Sequence, residues 1–413
     1  MRSLGRVPPV AVPIRAEDVR EAAAEFRRGA CSERFAAALA AQTKASAVRL
    51  FSSGRAALTC LLVELARQSP RREVVTPAYA CYTLPAAVAR AGLRVRLCDV
   101  SPDTLDFEPA ALDQAVSDRT LAVVAVHVLG FRCDLGAIGQ IARHRGAVLV
   151  EDCAQLLKAE CSGGPIRERG DLALLSFGRG KPITTLGGGA LLCFDLAWEG
   201  VLDAAARGLR IPANRVVATL ARVVAYGILT RPLAYRAVER VPGFGIGVTR
   251  FAPSFPVLGL DEARAAVGLA LLPQLAGWNQ TRRQNADEVR AALRGTPGVL
   301  SAGRRGGEAP LRFPIRVAPH MRAELLRALQ RVGIGASPMY PSALSAVPEI
   351  RGHLAEGVPP CPGACEVAQT LLTLPCHPTS AGLAPLAAEV IAGVTRRLQG
   401  ASGRAGLTGE ARW

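Results

Sequence analysis

Two carboxylates and one lysine stand out by type and position. An apolar run at 147–150 ends in Glu151 and Asp152, and a second run at 172–177 is followed by Gly178, Arg179, Gly180 and Lys181. Three glycines at 187–189 open a third run. Short apolar runs bounded by glycine and charge read as buried strands. The acid and the lysine therefore each fall just past the C-terminal end of a strand, where open α/β sheets bind ligands. Pyridoxal phosphate (PLP) chemistry needs such a pair. A lysine amine holds the cofactor's aldehyde covalently, and an acid keeps the pyridine nitrogen protonated so that the ring accepts electrons. The chain has only three lysines, Lys44, Lys158 and Lys181. Lys44 precedes the first expected sheet strand and Lys158 lies beyond the acid motif, which leaves Lys181.

The elements that must position these groups follow from the pattern. Residues 16–41 have helical spacing. A strand is expected at 48–51, a small-residue turn at Ser52, Ser53 and Gly54, and a helix at 55–66. A strand, a small-residue turn and a helix start form a phosphate cradle, because the first N–H groups of a helix have no acceptor within it. Further strands are expected at 73–76, 94–99 and 121–127, and helices at 84–91 and 135–145. Repeated βα units of this length imply a mainly parallel sheet with helices on both faces. His127 ends one of these strands, and both a core-edge role and a site role fit it. Residues 195–255 interrupt the alternation with an apolar helix at 216–235, which Pro232 ends or kinks and which is expected to bury against protein, in the same subunit or its partner, with a place on a membrane surface as the other reading. Helices at 260–272, 276–293, 321–332, 365–374 and 383–398, with strands at 311–317 and 334–339, then describe a smaller α+β unit. The division expected is an arm at 1–15, a large α/β domain at 16–255 including the insert at 195–255, a small domain at 256–399, and a tail at 400–413.

The composition narrows the class. The chain has 413 residues and a formal net charge of +16, with 47 of its 50 basic residues being arginine. The arginines are spread throughout, with no basic run interleaved with aromatics, so no nucleic-acid partner is expected. Eleven cysteines at scattered positions, several inside apolar runs, fit a reducing cytoplasm. The cluster Cys361, Cys365, Cys376 and His377 fits no usual zinc spacing, so no metal is expected. The first residues lack an apolar signal-peptide core, and no run of about 18 uncharged apolar residues marks a spanning helix.

Taken together and in order, the motifs resemble those of the DegT/StrS-type sugar aminotransferases, a family of fold-type I PLP-dependent enzymes. The family's phosphate turn is matched by Ser53, Gly54, Arg55, Ala56, Ala57 and Leu58. Its VHLYG segment is matched by Val126 through Gly130, its EDAAQ by Glu151 through Gln155, and its SF-x-x-x-K by Ser176, Phe177 and Lys181. In the second half, Arg283 to Ala286, Gly333 to Gly335, Tyr340 with Pro341, and Leu374 with Pro375 fall where the family has similar segments. The resemblance implies that Lys181 binds the cofactor and moves the proton, and that Asp152 pairs with the pyridine nitrogen. Gln155 would lie near the ring's phenolic oxygen, and Gly54, Arg55 and Ser176 would hold the phosphate. It implies a large α/β domain with a mainly parallel sheet and a small C-terminal α+β domain, working as a homodimer. The reaction implied is transfer of an amino group from glutamate or glutamine to a keto-sugar, nucleotide-linked, in polysaccharide or glycoside biosynthesis. Three positions depart from the family pattern: Arg55 replaces a threonine, Cys81 replaces an aromatic, and SFPVL at 254–258 replaces an Asn-Tyr-Arg segment. Two other readings remain open: a sugar dehydratase, although those typically carry histidine at the Lys181 position, and a binding or regulatory protein that keeps the fold. A nicotinamide-binding fold is excluded, because 187–189 is not a G-x-G-x-x-G between strand and helix.

Overall fold

The computed structural model describes residues 5–157, 170–239, 250–303 and 308–404. Lys158, part of the expected insert and the last residues of the tail lie outside these. Seven strands make the large sheet: β1 (Ala47–Phe51), β2 (Glu73–Pro77), β3 (Arg94–Cys98), β4 (Thr120–Val126), β5 (Val148–Asp152), β6 (Leu172–Ser176) and β7 (Gly189–Cys193). Their order is β1-β7-β6-β5-β4-β2-β3. From β6 to β3 every pairing is parallel, while β7 runs antiparallel to both β1 and β6. The exits of β1, β6, β5 and β4 therefore share one edge of the sheet, and the start of β7 at Gly189 lies there with them.

The helices are α1 (Ala16–Arg28), α2 (Cys31–Thr43), α3 (Gly54–Arg67), α4 (Thr83–Arg90), α5 (Pro109–Ala115), α6 (Leu135–His144), α7 (Glu199–Ala206), α8 (Val216–Leu229), α9 (Pro232–Val238), α10 (Glu262–Leu271), α11 (Leu275–Ala292), α12 (Pro319–Arg331), α13 (Pro362–Thr370) and α14 (Ala384–Arg404). Side-chain parity along the strands sorts the core into two faces. Ala122, Val124, Val150, Leu172 and Leu174 pack with Leu58, Leu61 and Leu62 of α3 on one face. Val123, Ala125 and Leu149 meet Leu135 and Ile138 of α6 on the other, and Ala173, Leu175 and Leu192 meet Phe35, Ala266 and Val267. Both faces are covered, so the strands read as continuous apolar runs. A second sheet, ordered β10-β9-β8, consists of β8 (Val299–Ser301), β9 (Arg312–Val317) and β10 (Leu371–Pro375), all antiparallel. Its core joins α11, α12 and α14 through Val289, Leu325 and Ile391.

Several local expectations are corrected. The helix expected at 16–41 is two helices, because Gly29 and Ala30 both take positive φ. The helix expected at 365–374 stops at Thr370, and 371–375 becomes β10 paired to β9. An apolar run such as LLTL satisfies either a buried helix or a buried strand, and here the open edge of β9 decides. The strand expected at 334–339 is reduced to one bridge, Ser337 to Thr373. The break expected at Pro232 is present: 216–235 forms the pair α8 and α9, bent by 98°, with Pro232 opening α9 where its missing N–H has no intrahelical role. Within the chain, only Val223 and Tyr235 of this pair are buried. The helix α10, read from the sequence as part of the second unit, packs in the same core as the large sheet through Ala265, Ala266 and Val267. The arm is docked: Val7 N–H donates to the Gly333 carbonyl at 2.9 Å, and His377 Nε2 meets the Pro8 carbonyl at 2.8 Å.

Candidate active site

At the shared edge of the sheet, β1 turns into α3 through Ser52 and Ser53. Ser53 is extended and caps α3, its hydroxyl accepting the Ala56 N–H at 3.2 Å. The N–H groups ahead of that bond, on Gly54 and Arg55, are those with no intrahelical acceptor. The turn lies against the start of β7 so closely that a Cβ on Gly189 would fall 2.4 Å from Gly54 N. A Cβ on Gly54 would fall 3.0 Å from Ser176 Cβ and 3.4 Å from Ser176 Oγ. Only glycine at both positions allows this approach. The Ser176 hydroxyl has no hydrogen-bond partner among the described residues and is half-buried at the end of β6. Arg55 extends its guanidinium over the Phe255 ring, 4.4 Å from the centroid, and the following chain is held where Ser52 N–H donates to the Leu258 carbonyl at 2.8 Å. The departure at 254–258 therefore sits beside the turn of the same chain.

Asp152 ends β5, on the sheet face shared with Val150 and α3. Burial raises the proton affinity of its carboxyl, while the charge of Lys181, the Ala154 N–H at 2.9 Å and His127 oppose that rise. Lys181 lies beyond the end of β6, half-buried, and Asp152 ends the neighbouring strand β5, where the charge of Lys181 favours its ionised form. The backbone next to Lys181 is held by Arg282, a completely buried guanidinium on α11 that donates to the Pro182 carbonyl at 2.9 Å. Burial lowers the Arg282 pKa to about 10, against a smaller opposing effect of Cys376 and Tyr226. The arm also supports this loop: a Cβ on Gly180 would fall 2.8 Å from Val10 Cγ1.

Strand parity sends Glu151 to the opposite face from Asp152. Glu151 is fully buried, with one oxygen 3.2 Å from His127 Nε2 and the other accepting the Gly170 N–H. His127 Nδ1 accepts the Cys133 N–H at 3.1 Å, so the ring's proton sits on Nε2 and points at Glu151. Of the two roles open to His127, the structure gives it the buried one: it pairs with Glu151 beneath the sheet edge. Nothing in the sequence signals this pairing beyond the alternation of strand faces.

Gln155 accepts the Leu129 N–H at 3.2 Å and donates to Tyr340 Oη at 3.3 Å. Tyr340 stacks edge-on with Tyr79, the centroids 5.4 Å apart. Its phenol is pushed up by burial first, then by Cys81, Tyr79 and Asp152. This tyrosine links the second half of the chain to the acid motif, and sequence had placed it only as part of a Tyr-Pro segment. Arg312, at the start of β9, faces the same tyrosines and bonds Ser337 Oγ at 3.2 Å, with its pKa lowered by burial. Cys81, at the position where an aromatic was expected, is 3.0 Å from Thr83 Oγ1.

A mainly parallel sheet with a lysine and an acid at adjacent strand exits, a glycine-lined helix start beside them and a small second sheet define the architecture of the PLP-dependent aminotransferases. The chain belongs to the DegT/DnrJ/EryC1/StrS aminotransferase family, whose model matches residues 14–210 and 257–392. It is 28% identical over 350 residues, 80% of each chain, to a dTDP-4-dehydro-2,3,6-trideoxy-D-glucose 4-aminotransferase of Saccharopolyspora spinosa. It is 26% identical over 320 residues, 77% of each chain, to a pleiotropic regulatory protein of Geobacillus stearothermophilus. Among solved structures, DesV of S. venezuelae superposes with a TM-score of 0.69 at 25% identity, covering 95% of this chain and 98% of that one.

Proposed function

We propose that this chain is a PLP-dependent sugar aminotransferase that takes an amino group from glutamate or glutamine and gives it to a nucleotide-linked keto-sugar. The observation that carries this reading is the placement of Asp152 and Lys181 at the exits of the neighbouring strands β5 and β6, beside a Ser176 hydroxyl with no hydrogen-bond partner among the described residues. The site fits the cofactor on its own terms. Gly54 and Gly189 keep open a cradle that side chains would fill, and Asp152 is a carboxyl whose raised proton affinity a neighbouring cation would offset.

When bound, PLP supplies an electron sink for the carbon that bears the amine. The chain's own groups supply the rest. The Gly54 and Arg55 N–H groups and the Ser176 hydroxyl would hold the phosphate. Asp152 would keep the pyridine nitrogen protonated. Lys181 Nζ would be the covalent anchor and the group that moves the proton of the amine-bearing carbon. Gln155, fixed by Leu129 and Tyr340, would serve the phenolic oxygen. The Saccharopolyspora relative supports a nucleotide-linked sugar as the acceptor. A homodimer is part of the proposal, supported by the family resemblance and checked by light scattering on the purified protein. A reducing, cytoplasmic setting is supported by ten described cysteines that are all free thiols.

The test is to reduce the cofactor-loaded protein with borohydride, digest it and map the pyridoxyl group by mass spectrometry. The expected site is Lys181. Turnover is then measured with glutamate or glutamine against a panel of nucleotide-linked keto-sugars. A pyridoxyl group on Lys44 or Lys158, or none in saturated protein, overturns the assignment. Correct labelling without amine transfer to any keto-sugar moves the reading to a binding or regulatory protein.

A further inference from the structure

The family match stops at residue 210 and resumes at 257, so α8 and α9 lie outside the core that the family model describes. On the inner side the pair is anchored. Val223 and Tyr235 are buried, Tyr226 Oη accepts the Val12 N–H at 3.3 Å, and Gly227 faces the Ile14 carbonyl. On the outer side Val217 is 84% exposed, Leu233 68%, Ile228 49% and Val224 42%. Val217, Val224 and Ile228 are spaced seven and four apart, which places them in one stripe along α8. Arg215, Arg222 and Arg231 are also exposed, Arg222 lying about 140° around α8 from Val217, at the other margin of the outer side. Between Asp203 and Glu239 the chain carries six arginines and no acidic residue.

We propose that the outer face of α8 and α9 is a docking surface for a bilayer rich in anionic lipid, on which the enzyme rests without crossing. The charge pattern selects this partner over a second copy of the chain. A two-fold contact centred on this face would set Arg222 and its neighbours against their own copies, with no carboxylate in the segment to pair them. Anionic headgroups supply the missing charge, and the acyl boundary takes the valine, isoleucine and leucine side chains. Neither helix is long enough to span by itself. At 14 residues α8 is about 21 Å long, short of the hydrocarbon core of about 30 Å, and the chain then bends by 98° into α9.

The experiment is co-sedimentation of the full-length, cofactor-loaded protein with vesicles of phosphatidylcholine alone and of phosphatidylcholine with phosphatidylglycerol. The expected result is binding to the anionic vesicles only, weakened by added salt. The double variant Val217→Glu with Ile228→Glu is expected to bind them at least about tenfold more weakly, and Arg222→Glu with Arg231→Glu to lose the salt dependence as well. The cofactor spectrum and the melting temperature show whether each variant is folded. The two pairs change different chemistry, so one folded variant is enough to decide. The proposal is overturned if wild-type protein stays in the supernatant with anionic vesicles, or if a folded variant binds as wild type does. It is also overturned if the variants turn a dimer into monomers by light scattering, because the occupant is then a second copy.

Discussion

Gly189→Ala tests the phosphate cradle by geometry alone. The new methyl would lie 2.4 Å from Gly54 N, 2.6 Å from Ser53 C and 2.7 Å from Gly54 Cα, all of them backbone atoms. Ordinary contact begins near about 3.5 Å, so the turn between β1 and α3 must retreat by about 1 Å. Overpacking of this kind destabilises by about 1–3 kcal/mol, which in a chain this long lowers the melting temperature by only about 1–4 °C. The effect on the ligand is larger. Retreat by about 1 Å takes a hydrogen bond of about 2.9 Å out of range. Each backbone N–H bonded to a charged oxygen contributes about 1.5–3 kcal/mol, so losing those of Gly54 and Arg55 weakens PLP binding by about a hundredfold or more. Equilibrium titration of the cofactor, followed by absorbance and by tryptophan quenching beside a thermal melt, separates the two effects. A folded Gly189→Ala protein that binds PLP as tightly as wild type would refute the placement of the phosphate on this turn.

Three further outcomes are expected. Gly277→Ala, within α11 and with nothing inside 4 Å of the new methyl, should raise stability by about 0.5–1 kcal/mol in urea unfolding, and a loss there would contradict the helix interior assigned to it. Asp152→Asn should keep the fold and much of the cofactor affinity while turnover falls by about two orders of magnitude or more, since the amide cannot balance a protonated pyridine nitrogen; wild-type turnover would assign that role to another group. His377 has its pKa lowered to about 4 by burial first, against an ordinary 6.5. Its contribution is whole above pH 6.5 and is lost as pH falls from there toward 4, about 2 kcal/mol between pH 7 and pH 5. Over that range His377→Gln should be the less pH-dependent protein by that amount in urea midpoints, and equal slopes for the two proteins would count against the buried neutral ring.

What was legible in the sequence was local. Apolar runs bounded by glycine and charge gave the strand exits, because a strand covered on both faces has no polar position to interrupt it. The same runs put Asp152 and Lys181 at the exits of neighbouring βα units, and small residues at 52–54 marked a helix start that could hold an anion. Where a run satisfied two periodicities, sequence alone was insufficient: 371–374 suits a helix or a strand, and the unpaired edge of β9 made it a strand. Separation along the chain hid the rest. Gly189 meets Gly54, and Tyr340 meets Gln155, only once the strand order is set, and that order comes from which faces bury against one another rather than from any local propensity. Glu151 and Asp152 are adjacent and chemically alike, yet one is paired with His127 beneath the sheet and the other opens toward Lys181. Alternation separates the two faces, but only the tertiary structure decides which helices cover each face and which groups meet at the open edge. The same holds for α8. Its composition reads as core, and the fold leaves its apolar stripe outside because the arm and α10 have already taken up its other side.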